Sequence, residues 1–225
     1  MTKSSFHLIG ATATLLVSLV CVSSLRAQEV ITPSQGKGHV VVFLSGMAGP
    51  KHDKALAEDL ASLGYVVVVY DGRHMEGGFG QTLRTAIQNA QQTPNALPGK
   101  VALVGVSLGG GFALAFGSRW PDLVAVDIVW YPATGFANRM PGFVNRITVP
   151  VLMFAGEADH YQDCCLIATA RTLAAHAAAA GVPLELVTYP GADHDFIKGG
   201  SNYNPSVYND ALDRTTATLK AAFAN

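Results

Sequence analysis

The chain has 225 residues, of which 49% are hydrophobic and 14% charged, with a formal net charge of −1. That length suits one domain around one sizeable core, and so apolar a composition excludes a disordered chain. Near-neutrality without a Lys/Arg run excludes the electrostatic footprint of nucleic-acid binding or of docking on an anionic membrane, which leaves a small molecule as the expected partner.

Residues 1–27 read as a secretory signal peptide: Lys3 comes first, then an uncharged apolar stretch over 8–22, then Ser23-Ser24-Leu25-Arg26-Ala27. The apolar stretch is about 15 residues, short of the roughly 20 that span a bilayer. Cleavage after Ala27 leaves 28–225 as a single exported domain, periplasmic or secreted, with no membrane association once the signal is gone. It also removes Cys21 and leaves the adjacent pair Cys164 and Cys165. A disulfide between neighbours requires unusual backbone around the peptide that joins them, so two packing thiols are expected. No metal-ligand spacing is present, and neither metal nor cofactor is expected.

Continuous Val-rich runs at 40–44, 65–70, 101–105, 123–130, 150–155 and 184–189 read as strands buried on both faces. Between them, 54–63 places Leu56, Leu60 and Leu63 on one helical face and stops at Gly64. The stretch 81–92 stops before Pro94, 166–180 is Ala-rich and stops at Gly181, and 206–223 forms a last helix. Strand–helix alternation gives one α/β domain, a mostly parallel sheet flanked by helices through right-handed crossovers. In such a sheet ligands bind at the carboxyl ends of the strands, so the residues just after each strand carry the functional information.

After the strand at 101–105 comes Gly105-Val106-Ser107-Leu108-Gly109, followed by Gly110, Gly111 and a helical run. This is G-x-S-x-G between a strand and a helix, the setting of a nucleophile elbow. A sharp turn lifts the serine hydroxyl above the sheet, and glycines let strand and helix approach. A serine needs a base to take its proton and a carboxylate to orient the base, in the chain order serine, acid, histidine. The strand at 150–155 leads into Gly156-Glu157-Ala158-Asp159, and the strand at 184–189 into Pro190-Gly191-Ala192-Asp193-His194. Asp159 is the expected acid, with Asp163 and Glu157 as alternatives on one loop, and His194 is the expected base. His160 and His74 also follow strand ends, whereas His39, His52 and His176 read as solvated or internally satisfied. An oxyanion hole needs the N–H after the nucleophile, here Leu108, and one from the loop after an early strand, Ser45-Gly46-Met47-Ala48-Gly49, where Met47 is the choice and Gly46 its alternative.

The elbow, the run from Pro150 through Asp159 and the segment Tyr189-Pro190-Gly191-Ala192-Asp193-His194-Asp195-Phe196 resemble the dienelactone hydrolase family of the α/β-hydrolase superfamily, across 40–223. The resemblance implies a nucleophile at Ser107, an acid at Asp159 and a base at His194, on a single-domain α/β-hydrolase fold that cleaves esters or lactones. The family's best-known members carry cysteine where Ser107 stands, so the resemblance implies a serine variant, a carboxylesterase-like hydrolase of small esters or lactones. Arg73, just past the strand at 65–70, is the candidate to hold a substrate carboxylate. The segment 131–146, with Tyr131, Phe136, Met140 and Phe143, is either a short aromatic cap or a loop packing its own side chains. A competing reading is a non-catalytic small-molecule-binding protein on the hydrolase shell, suggested by Ser45-Gly46 in the first loop. A thiol redox protein using Cys164 and Cys165 lacks a supporting histidine or helix context.

Overall fold

Valine is stiff at χ1 and packs well on a pleated surface, and this chain concentrates it in the runs that become the inner strands. A computed structural model describes residues 29–137 and 142–224; the expected signal peptide and Met140 lie outside the described residues. The strands are β1 (Glu29–Ile31), β2 (Val40–Leu44), β3 (Val66–Tyr70), β4 (Val101–Val106), β5 (Val124–Trp130), β6 (Val151–Gly156) and β7 (Leu184–Tyr189). The helices are α1 (Lys54–Ser62), α2 (Gln81–Gln91), α3 (Ser107–Phe116), α4 (Ile167–Ala180) and α5 (Pro205–Phe223). The sheet order is β1-β3-β2-β4-β5-β6-β7. Every pair is parallel except β1 with β3.

Alternate residues of each inner strand enter opposite cores. Val40, Val42, Leu44, Val66, Val68 and Tyr70 pack with α2, α3 and α4, while Val41, Phe43, Val67 and Val69 pack with α1 and α5. Each buried Val or Leu contributes roughly 1.5–3 kcal/mol of transfer free energy, so strands covered on both sides draw on both faces at once. The helix stops follow the expected chemistry. Gly64 (φ +101) follows α1, and Gly181 (φ +67) caps α4 in the left-handed region that favours glycine. Asn204 accepts the N–H of Val207 at 3.3 Å and Pro205 opens α5.

One strand was not expected. Glu29, Val30 and Ile31 pair antiparallel with Val69, Val68 and Val67, covering the edge of β3. Among the described residues of 131–146, Phe136 and Phe143 meet edge-on at 5.0 Å and belong to the α2–α4 side of the core, so these two aromatics pack inward. Only Tyr131 of the segment's described residues reaches the cavity beside Ser107.

Candidate active site

The link from β4 into α3 needs both glycines of the motif. A Cβ on Gly105 would stand 2.7 Å from the Gly110 nitrogen, and one on Gly109 would collide with the Leu44 and Ser45 carbonyls. Between them Ser107 holds φ +49, a left-handed conformation that costs a non-glycine residue roughly 1–2 kcal/mol. The turn sets its hydroxyl at the carboxyl end of the sheet, with 7% of the residue exposed.

His194 Nε2 lies 3.0 Å from Ser107 Oγ, and His194 Nδ1 lies 2.8 Å from Asp159 Oδ2. A carboxylate can only accept, so Nδ1–H donates to Asp159 and Nε2 is left to accept from the serine hydroxyl. Asp159 is buried, and its other oxygen accepts the Tyr161 N–H at 3.0 Å. The imidazole is stacked against Tyr161 (4.5 Å, 8°) and meets Tyr131 edge-on at 4.8 Å, while Asn202 donates to its backbone carbonyl at 2.8 Å. The structure thus brings Ser107, His194 and Asp159 together. The alternative carboxylates are elsewhere: Glu157 accepts from Arg171 at 2.6 Å and from Thr188 at 2.9 Å, and Asp163 lines a separate cavity behind Leu108. His160 turns back onto the Ala158 carbonyl, and His74 is exposed beside Asp71.

For the oxyanion donors, Leu108 is the second residue of α3, so its N–H has no acceptor one turn earlier within the helix. Met47 lines the cavity with Ser107, and its N–H has no partner among the described residues. The Gly46 N–H donates to Asp53 Oδ2 at 2.7 Å, so that amide is already occupied.

Arg73 departs from expectation. Its Nε donates to both Asp71 oxygens at 2.9 and 3.1 Å and its Nη2 donates at 2.5 Å, and it does not line the cavity beside Ser107. Asp71, at the entry to the 3-10 turn Gly72–His74, claims the guanidinium two residues on. The cysteines depart as well: Cys164 and Cys165 are disulfide-bonded. Gln162 (φ +47) and Asp163 (φ +53) turn the chain sharply just before them, and the Cys164 carbonyl accepts the N–H groups of Thr134 and Gly135 at 2.9 and 3.0 Å. No sequence pattern announces that bend.

The cavity holds about 250 Å3 and includes His52, read from the sequence as solvated or satisfied, Tyr131 of the candidate cap segment, and Asp53 and Asp195, for which no role was expected. Burial pushes Asp53 up to about 6, against the opposing pull of the Gly46 N–H. Tyr131 is pushed well above the ordinary phenol range, first by burial and then by the nearby Asp53 and Asp195 charges. Asp159, Cys165 and His194 place potential ligand atoms within 4.8 Å of one another, but the Cys165 sulfur is already bonded to Cys164.

The fold and the strand-end cleft are those of an α/β-hydrolase. The dienelactone hydrolase family model matches residues 73–223, so the chain belongs to the dienelactone hydrolase family and is an ester-bond hydrolase. Protein usf of Aquifex pyrophilus is 23% identical over 217 residues, covering 85% of this chain and 91% of that protein. Among solved structures, esterase 2 of Thermogutta terrifontis, captured phosphoramylated by tabun, superposes with a TM-score of 0.67 at 20% identity, covering 86% of this chain and 88% of its own. Est1E of Butyrivibrio proteoclasticus gives 0.66 at 16% identity, over 84% and 93% of the two chains. No described helix is long and apolar enough to cross a membrane.

Proposed function

We propose that the chain is a serine esterase that cleaves a small carboxylic ester or lactone through an acyl-enzyme on Ser107. The observation that carries this reading is the continuous hydrogen-bonded chain from Ser107 Oγ through His194 to Asp159 at 3.0 and 2.8 Å. His194 Nε2 takes the hydroxyl proton as Oγ attacks the carbonyl carbon, and Asp159 stabilises the imidazolium that forms. The oxygen of the tetrahedral intermediate draws on the N–H groups of Leu108 and Met47. Collapse expels the alcohol, which takes the proton from His194; water, deprotonated by the same nitrogen, then attacks the acyl-serine and releases the acid. A cavity of about 250 Å3 suits short acyl and alcohol groups.

Paraoxon and a fluorophosphonate probe test the nucleophile directly. Intact-mass analysis should show one adduct on the wild type and none on Ser107→Ala, with the label on the peptide containing residue 107. A folded wild-type protein that takes no label would instead support the non-catalytic binding module.

The same reading extends to location. The signal-like pattern of residues 1–27 and a disulfide between Cys164 and Cys165 both fit an exported protein in an oxidising compartment. N-terminal sequencing of protein recovered from the periplasm or medium should begin at Gln28.

A further inference from the structure

The cavity onto which Ser107 and His194 open has a second polar wall that the chemistry above does not use. His52, Asp53 and Asp195 place ligand atoms within 4.8 Å of one another. His52 Nε2 lies 3.1 Å from both oxygens of Asp195 and 4.0 Å from Asp53 Oδ1. Tyr131 lines the same cavity; the residue is 2% exposed, and its hydroxyl has no hydrogen-bond partner among the described residues. A buried phenol left unsatisfied beside two carboxylates is costly unless a bound group completes it.

The charge census has one sign. No lysine or arginine lines the cavity among the described residues. The candidate cation, Arg73, is engaged by Asp71, and Lys198 faces Asp59. Above the Asp53 pKa of about 6, two carboxylates face a single imidazole, which leaves the wall net negative before Asp159 is added.

We propose that this wall is a subsite for a cationic, hydrogen-bond-donating group, so that the esters this hydrolase prefers carry a protonated amine and not a carboxylate. An ammonium N–H has the free lone pairs of Asp53 and Asp195 and the Tyr131 oxygen as acceptors, whereas a substrate carboxylate would meet like charge with no counter-ion. A divalent cation fits less well. Asp195 already accepts the N–H and hydroxyl of Ser201 at 2.8 and 3.1 Å, and Asp53 holds the Gly46 N–H, so a metal would have to displace donors that an ammonium leaves in place.

The proposal rests on the esterase reading, and its test separates the two. The probes are 2-(dimethylamino)ethyl acetate, its carbon isostere 3-methylbutyl acetate, and 3-acetoxypropanoate, compared at about pH 7, where the amine is protonated. We expect kcat/KM for the amino ester to exceed that of the isostere by about tenfold, the scale of one charge-assisted hydrogen bond, with the carboxylate ester below both. Asp195→Asn should bring the ratio towards one, and Tyr131→Phe, which keeps the ring against His194, should lower it about threefold. Calorimetry on Ser107→Ala with the amino ester and the isostere reads the same preference without turnover. A preference in binding with no hydrolysis by the wild type keeps the subsite and sinks the esterase reading. Equal binding, equal turnover or a preference for the carboxylate ester overturns the subsite.

Discussion

Asp53 Oδ2 accepts the Gly46 N–H at 2.7 Å, one residue before the amide proposed to hold the oxyanion. Asp53 stands just ahead of α1, where an aspartate ordinarily caps the helix, yet its side chain makes no cap bond. The carboxylate is directed to the loop instead. The loop runs so close under the elbow that a Cβ on Gly46 would stand 3.1 Å from Ser107 Cβ, so Asp53 acts as a positioning residue for the second oxyanion donor.

Replacing Asp53 should therefore separate its two effects. Asp53→Ala removes the acceptor and should lower kcat by about 10- to 100-fold with little change in KM, while Asp53→Asn, which can still accept from Gly46, should stay within a few-fold. The effect on stability has the opposite sign. Burial raises the folded pKa from 3.8 to about 6, so the contribution of this group is favourable below the unfolded value and is lost as pH rises through 6. Above that range burying the charge costs on the order of 3 kcal/mol. Urea denaturation should show Asp53→Asn more stable than wild type at pH 8 and nearly equal to it at pH 4; equal shifts at both would exclude burial as the cause.

The acid loop offers a comparison among three carboxylates. Asp159→Asn reverses the donor facing His194 Nδ1 and should cut kcat by about 10³- to 10⁴-fold without unfolding the protein. Glu157→Gln loses only an exposed pair with Arg171, and Asp163→Asn touches neither His194 nor the cavity beside Ser107, so each should stay within about threefold. Steady-state kinetics on the three purified variants decides the matter, and a larger loss at Asp163 than at Asp159 would move the acid.

The strands and the three residues at their ends are legible because buried parallel strands leave unbroken apolar runs and this fold presents its polar groups just beyond them. β1 is not legible: Val30 is 42% exposed, and three half-exposed residues acquire strand pairing only from the edge of β3. The second polar wall is hidden for another reason. Tyr131 (φ +37) and Asp195 (φ +65) are aimed by left-handed backbone in non-glycine residues, as is the turn before the cysteines, and such a turn leaves no compositional mark. His52 and Asp53 reach the wall from a loop that carries no motif.

Arg73 gives a prediction opposite in sense to its sequence-based role. Its fork on Asp71 holds that carboxyl below the usual range, the hydrogen bond from the guanidinium being the largest cause. The stabilisation is present above the unfolded carboxylate pKa and is lost as pH falls through the lowered one. Because Arg73 is about half exposed, Arg73→Ala should cost little stability near neutral pH and less in acid. Its kcat/KM ratio between neutral and carboxylate esters should match that of wild type; a selective loss on the carboxylate ester would restore the substrate role.

Asp127 offers the clearest test of fold energetics. It lies in the middle of β5, fully buried, and neither carboxylate oxygen has a hydrogen-bond partner among the described residues. Burial alone pushes its pKa well above the ordinary value. The unfolded chain releases this proton readily and the folded chain does not, so the contribution of Asp127 is favourable only below the unfolded pKa and becomes a growing cost as pH rises. It does not line the cavity beside Ser107, so the group has no part in the proposed chemistry. Valine suits a strand and needs no partner, so Asp127→Val should raise the free energy of unfolding at pH 7 by roughly 1–4 kcal/mol and leave kcat unchanged. Asp127→Asn, which removes the ionisation but keeps an unpaired polar group, should gain less. Guanidinium denaturation from pH 5 to 8 reads both effects: wild type should lose stability along that range, and Asp127→Val should lose less. A valine variant that is less stable than wild type at pH 7 would show that the carboxyl has a partner, such as a buried water, that repays its burial.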